Sequence, residues 1–279
     1  MGCNRTFTVT AAVTLLFVGS LGPASAAWGQ SAAVPSGSSA LPRARAPGYL
    51  GADAVPDHRV FLPAPPAVGS PAGIADVAIF RATRSLESGP RWQLAASDDR
   101  IGSRKMLGDF GCAMGIDLTA VEAPALARTL ARANADLLPM VGDAKDHYRR
   151  PRPFVTESGP ICVDVSPEFA ASGSYPSGHS AAAWLYALLL SEIDPGNAAA
   201  IVARGRAFGE SRVVCGVHYV SDVEGGRLTT TALVAALHGN AEFEADIAAA
   251  RTELAKARAA ASKPDAASCP AAGALATPW

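Results

Sequence analysis

From Ile74 to Ala260 the apolar residues of this chain recur at helical spacing, and no stretch alternates with the two-residue period of a strand. That property predicts an all-α fold, a single-domain helical bundle. Abundant alanine, the best helix former, points the same way. The pattern places helices near 74–85, 91–115, 119–137, 177–193, 197–210, 217–238 and 241–260. Pro139 is expected to interrupt the chain before a short segment ending near Lys145. Pro151 and Pro153 are expected to force extended backbone through Phe154, and residues 157–175 read as a loop. Phe243, Ile247 and Leu254 share one face and dock the last helix on the core.

Both flanks depart from this pattern. Residues 27–72 are rich in Pro, Ala, Gly and Ser and read as an extended arm ahead of a helical domain at 73–261. Residues 262–279 return to Ala and Pro and read as a flexible tail. Residues 1–26 have the three parts of a secretory signal: Arg5, an apolar core from Ala11 to Leu21, and Ala24-Ser25-Ala26 as a small-residue cleavage site. The apolar run is shorter than the ~20 residues a spanning helix needs. Cys3 precedes that run, unlike a lipoprotein acylation site, and the later apolar stretch 181–190 stops at Ser191-Glu192. A periplasmic or secreted protein follows, with no membrane association after signal removal. The formal net charge of −1 leaves no nucleic-acid footprint.

Export changes the meaning of the cysteines. Without the signal, Cys112, Cys162, Cys215 and Cys269 remain, and four thiols in an oxidising compartment imply two disulfides with three possible connectivities. Cys162 and Cys215 each lie close in sequence to a reactive cluster, which favours that pair and leaves Cys112 with Cys269. A zinc site lacks any C-x-x-C or paired His/Cys spacing.

Three clusters carry the chemistry: Lys145 with Arg152-Pro153, then Pro176-Ser177-Gly178-His179, then Ser211-Arg212 with His218 and Asp222. Together they hold three cations, two imidazoles and a turn able to offer backbone N–H groups. Ser177-Gly178 stands where a loop becomes an apolar helix, and a helix N-terminus favours an anion. Ser177 can cap that helix and donate its hydroxyl, Gly178 allows close approach of a ligand, and His179 sits at the rim within reach of a leaving-group oxygen. On a helix from Val217, His218 and Asp222 stand at i and i+4, so Asp222 can accept the Nδ1 proton and leave Nε2 free as a nucleophile. Arg212 offers a planar fork for two phosphate oxygens. Arg149 and Arg150 read as a solvated charged face.

The order Lys145-x6-Arg152-Pro153, Pro176-Ser177-Gly178-His179, Ser211-Arg212-x5-His218-x3-Asp222 resembles the three-part signature of the type 2 phosphatidic acid phosphatase and vanadium haloperoxidase superfamily. Within it, Gly173 to Ser180, Ser211 to His218 and the upstream stretch Phe61 to Ser70 look like the bacterial class A non-specific acid phosphatases. The likeness covers roughly residues 49 to 259; Ser180 stands where many relatives carry threonine. It implies an all-α fold, broad phosphomonoester hydrolysis, no cofactor, no metal, and assembly as a homo-oligomer. By position, His218 resembles the nucleophile, Asp222 the carboxylate that orients it, and His179 the general acid. Lys145, Arg152, Ser177, Gly178 and Arg212 resemble the phosphate-binding set.

The implied reaction needs neutral His218 and protonated His179, so their environments must separate their pKa values, with a bell-shaped profile on the acid side. A vanadium-dependent haloperoxidase and a phosphotransferase to alcohol acceptors are the alternatives on the same pocket. A lipid phosphate phosphatase should carry several membrane spans, and a non-catalytic binding protein would not need the full set of side chains. Nucleotides, sugar phosphates and phytate-like compounds stay open as the small-molecule substrate.

Overall fold

The computed structural model describes residues 47–260 and 262–276, together with Gly2. The signal-like segment, Gly2 apart, and the first part of the arm therefore lie outside the described residues. In chain order the helices are α1 (His58–Phe61), α2 (Pro71–Thr83), α3 (Pro90–Ser97), α4 (Ser103–Met114) and the long α5 (Pro124–Tyr148). Two single turns, α6 (Pro153–Thr156) and α7 (Pro167–Ala171), lead to α8 (Gly178–Ile193), α9 (Ala198–Val214), α10 (Val220–Leu237) and α11 (Ala241–Ala260). No strand occurs among the described residues, and no described helix is long and apolar enough to cross a membrane.

Helix α8 is apolar on every side because it lies at the centre of the bundle. Helices α5, α9 and α10 pack around it, α11 covers α5, and α3 and α4 lie against α9. The seam between α8 and α9 is close: a Cβ on Gly205 would come within 2.4 Å of the Ala187 Cβ. At the functional end, a Cβ on Gly226 of α10 would meet the Ser177 carbonyl at 2.5 Å. Glycine there lets α10 press against the N-terminus of α8.

Four expectations change in the structure. Helix α5 runs through Pro139, because its buried face (Leu126, Leu130, Leu137, Met140, Val141) packs on both sides of the proline, whose own side chain is exposed. Core packing there outweighs one lost backbone hydrogen bond. The long helix read at 91–115 is two helices. The chain is drawn inward at Asp98, whose carboxylate accepts from Arg204 at 2.6 and 3.1 Å and from Ser211 at 2.7 Å. After Pro153 comes a helical turn, since proline at the first helical position is pre-organised for one. Helix α10 begins at Val220, so His218 precedes it.

The flanks hold more structure than their composition indicates. Residues 47–70 include the turn 52–54 and α1. The tail is tied down: Cys269 is disulfide-bonded to Cys112 of α4, and the Asp117 N–H donates to the Ser262 carbonyl at 3.1 Å. A second disulfide joins Cys162 to Cys215.

Candidate active site

Helix α5 ends at Arg149, which takes a left-handed conformation (φ 46°). A non-glycine residue there is uncommon, and its effect is to turn the chain so that Arg150 and Arg152 both point inward. Arg152 is buried; its guanidinium donates to the Val217 carbonyl at 3.0 Å and to Ser172 Oγ at 3.0 Å, and stacks over Phe169 at 3.9 Å. Lys145 Nζ donates to the Gly173 carbonyl.

His218 sits in the middle of this group. Arg152 Nη1 lies 3.1 Å from its Nε2. A guanidinium can only donate, so Nε2 carries a lone pair and the proton is on Nδ1. Nδ1 is 3.4 Å from Asp222 Oδ2, a long contact of the kind seen before a substrate tightens a site. The same carboxylate oxygen accepts the Tyr219 N–H at 2.8 Å, half of a capping box for α10. Asp222 thus holds His218 from the third position of the helix that His218 itself precedes.

Arg150 belongs to this assembly and not to a solvated face. Its guanidinium donates to Asp222 Oδ1 at 2.6 Å, to Ser221 Oγ at 2.7 Å and to Asp76 Oδ2 at 2.9 Å, and lies 4.3 Å over the Tyr219 ring. Asp76, buried on α2, also accepts from the Ser221 N–H at 3.0 Å. Arg150 therefore bridges two buried carboxylates. A signal for this existed in the sequence: backbone extended by Pro151 puts residues i and i+2 on one side, so Arg150 should follow Arg152. Asp76 carries no such signal, being one acidic residue on a helix distant in sequence.

The second histidine lies across the pocket. Ser177 caps α8 by accepting from the Ser180 N–H at 3.3 Å, and its own N–H donates to the Asp222 carbonyl at 2.9 Å, linking the two helix starts. His179 Nε2 donates to the Asp99 carbonyl at 2.9 Å. Asp99 Oδ1 also lies 2.9 Å from Arg212 Nη2. Arg212 is fully buried, yet its Nε and Nη1 have no hydrogen-bond partner among the described residues. Buried guanidinium N–H groups without partners are costly, and an anion in the pocket is what would satisfy them.

Charge and burial act together here. Burial first, then Arg152, pushes Lys145 down to about 7. Burial, reinforced by Arg212, lowers His179 to about 4. Burial followed by Arg152, Lys145 and Arg212 holds His218 well below the usual histidine range. Burial also raises the Asp222 carboxyl, against the pull of Arg150. The two imidazoles are thus both driven down, whereas the expected reaction calls for values driven apart. Arg152 and Arg212 act on both, so both are neutral near pH 7, and an anion bound among these cations would raise them again.

The eight residues read from the three clusters therefore converge on one buried, cationic pocket, and Arg150, Asp76 and Asp99 join them. Residues 125–243 match the PAP2 superfamily. The chain is 42% identical over 210 residues to an acid phosphatase of Zymomonas mobilis subsp. mobilis, covering 75% of this chain and 80% of that protein. It is 36% identical to a non-specific acid phosphatase of Providencia stuartii, covering 75% and 85%. Against a non-specific acid phosphatase of Salmonella typhimurium the identity is 34%, covering 71% and 80%. With its motif order, its helical bundle and these relatives in agreement, the chain belongs to the PAP2 superfamily, among the bacterial acid phosphatases.

Proposed function

We propose that the protein is an exported acid phosphatase that cleaves phosphate monoesters of broad range, without a metal, through a phosphohistidine on His218. The observation that carries this reading is the His218 Nε2 lone pair, fixed by Asp222 on Nδ1 and set among Arg152, Lys145 and Arg212. Nε2 attacks phosphorus in line as the ester P–O bond breaks, and the departing alkoxide takes a proton from His179. Water then attacks the phosphohistidine, His179 accepts its proton, the P–N bond breaks and His218 recovers its lone pair.

Lys145, Arg152 and Arg212, with the N–H groups at the start of α8 and the Ser177 hydroxyl, take the charge on the non-bridging oxygens. Those three cations fill the role that metal ions fill in other phosphatases. An alcohol in place of water would give phosphotransfer by the same step. Two disulfides fit the oxidising compartment that the signal-like N-terminus implies.

Rapid quench with radiolabelled p-nitrophenyl phosphate tests the reading. Wild-type protein should show a burst of acid-labile, base-stable label on His218, and His218→Ala should lose both label and turnover, by on the order of 10⁵-fold in kcat. EDTA should change neither. Turnover retained by His218→Ala, or activity lost to EDTA and restored by a divalent cation, would end the proposal.

A further inference from the structure

The phosphoryl pocket says nothing of the group that departs, but a second feature adjoins it. Between α4, α5 and α8 runs a groove of about 700 Å³, walled by Ile101, Met106, Leu130, Leu138 and Tyr186 and reaching Gly178 and His179 at one end. That size suits a small-molecule ligand. Its polar groups are Ser103, Asn134, His179 and the Tyr186 hydroxyl; no Asp, Glu, Lys or Arg lines it. Ile101 and Leu138 are each 37% exposed, among the larger exposed apolar side chains of the molecule.

Two lines of the fold join this groove to the phosphate cluster. Along α5, Leu138, Val141 and Lys145 follow at i, i+3 and i+7 on one face, and Val141 Cγ1 lies 3.5 Å from where a Gly178 Cβ would stand. Along α8, His179 and Tyr186 both border the groove, with Ala182 between them. A phosphoryl group held against Lys145 and Arg212, with its ester oxygen toward His179, therefore has its substituent at the mouth of the groove.

We infer that this groove is the leaving-group subsite, and that it ranks substrates by apolarity: uncharged alkyl or aryl phosphates above esters whose alcohol carries further anionic groups. The inference rests on the phosphatase reading and deepens it. Burial of apolar surface supplies the preference. A second phosphate or carboxylate would enter a cavity whose lining carries no lysine or arginine to meet it. Phytate-like and bisphosphate substrates are disfavoured on this account.

A series with constant leaving-group acidity tests it: kcat/KM for propyl, butyl, pentyl and hexyl phosphates, plus the hexyl ester ending in a carboxylate. Each methylene should raise kcat/KM by about 2- to 4-fold, the upper figure being full burial of one CH₂. The terminal carboxylate should lower it at least about tenfold relative to hexyl phosphate. Leu138→Asp, at an exposed position, should bring the hexyl-to-propyl ratio close to one, and Leu138→Met should keep it. Ala131→Trp, at another exposed position on the same face of α5, should cut the ratio by filling the groove. A wild-type series flat in chain length, or one unaffected by both Leu138→Asp and Ala131→Trp, overturns the subsite while leaving the phosphatase reading in place. No hydrolysis of any ester defeats that reading and this one with it.

Discussion

The two histidines of the pocket stand on unlike supports. On the His218 side the support is itself supported: Asp222 is met by His218, Tyr219 and Arg150, and Arg150 in turn by Asp76 and Ser221. On the His179 side a single backbone carbonyl holds the ring, and it belongs to a short loop between α3 and α4. The difference matches the two tasks that the proposed mechanism assigns to them. A nucleophile must meet phosphorus along one line, where an ångström of misplacement costs about 10²-fold. A proton donor must serve leaving oxygens on many different alcohols, so its support gains by giving way.

The largest effect should come from removing the compliant side while varying the alcohol. His179→Ala should lower kcat for alkyl phosphates by on the order of 10²–10⁴-fold, but far less for p-nitrophenyl phosphate, whose leaving group is stable as an anion. An equal loss on both substrates would mean that His179 is not the proton donor. Next comes the rigid side. Arg150→Met leaves Asp222 buried without its cation and should cost about 3–5 kcal/mol of stability. It should also lower kcat roughly 10²-fold with KM little changed, and Arg150→Lys should recover part of both. A variant that loses stability while keeping kcat would make Arg150 a purely structural bridge.

Asp99→Asn is a milder probe of the contrast. It keeps the carbonyl on His179 and removes the charge that pairs with Arg212, so inorganic phosphate should bind about fivefold more tightly, roughly 1 kcal/mol. Unchanged inhibition by phosphate would show that Asp99 does not compete for the site. The smallest effect is in thermal stability against pH. His179, at about 4, and His218, held well below the usual histidine range, bind fewer protons folded than unfolded. Their contribution is whole above the unfolded value near ~6.5 and is lost as pH falls from there toward 4. Melting of the ligand-free protein between pH 7 and 5 should drop by a few degrees. Added phosphate should reduce that drop by supplying the missing anion, and a flat profile would contradict the burial of both rings.

Much of this was written in the sequence, and the exceptions share a cause. The span of α11 follows from its own periodicity, and α8 from a capping serine before an apolar run. The eight pocket residues were legible because each stands in a short local motif. Local rules failed where distant residues decide. Pro139 lies inside a helix because α8 and α11 pack against α5, and the break at Asp98 exists because Arg204 and Ser211, more than a hundred residues on, take hold of it. Arg150 was missed for the same reason, since its partners Asp76 and Asp222 come from two other helices.

The covalent topology has its own consequence. Cys112–Cys269 closes a ring that contains the smaller ring Cys162–Cys215, and every residue from Lys145 to Asp222 lies within the larger one. Chain-entropy arguments give closure of so long a loop about 5 kcal/mol against unfolding. Beyond that, a peptide bond cut anywhere inside the ring leaves one connected molecule. A protease that nicks the loop at 157–175 opens the chain without separating its halves, and the break shows on a gel only after reduction. An enzyme with such nested links can be damaged in its backbone and still keep both histidines on the same covalent frame.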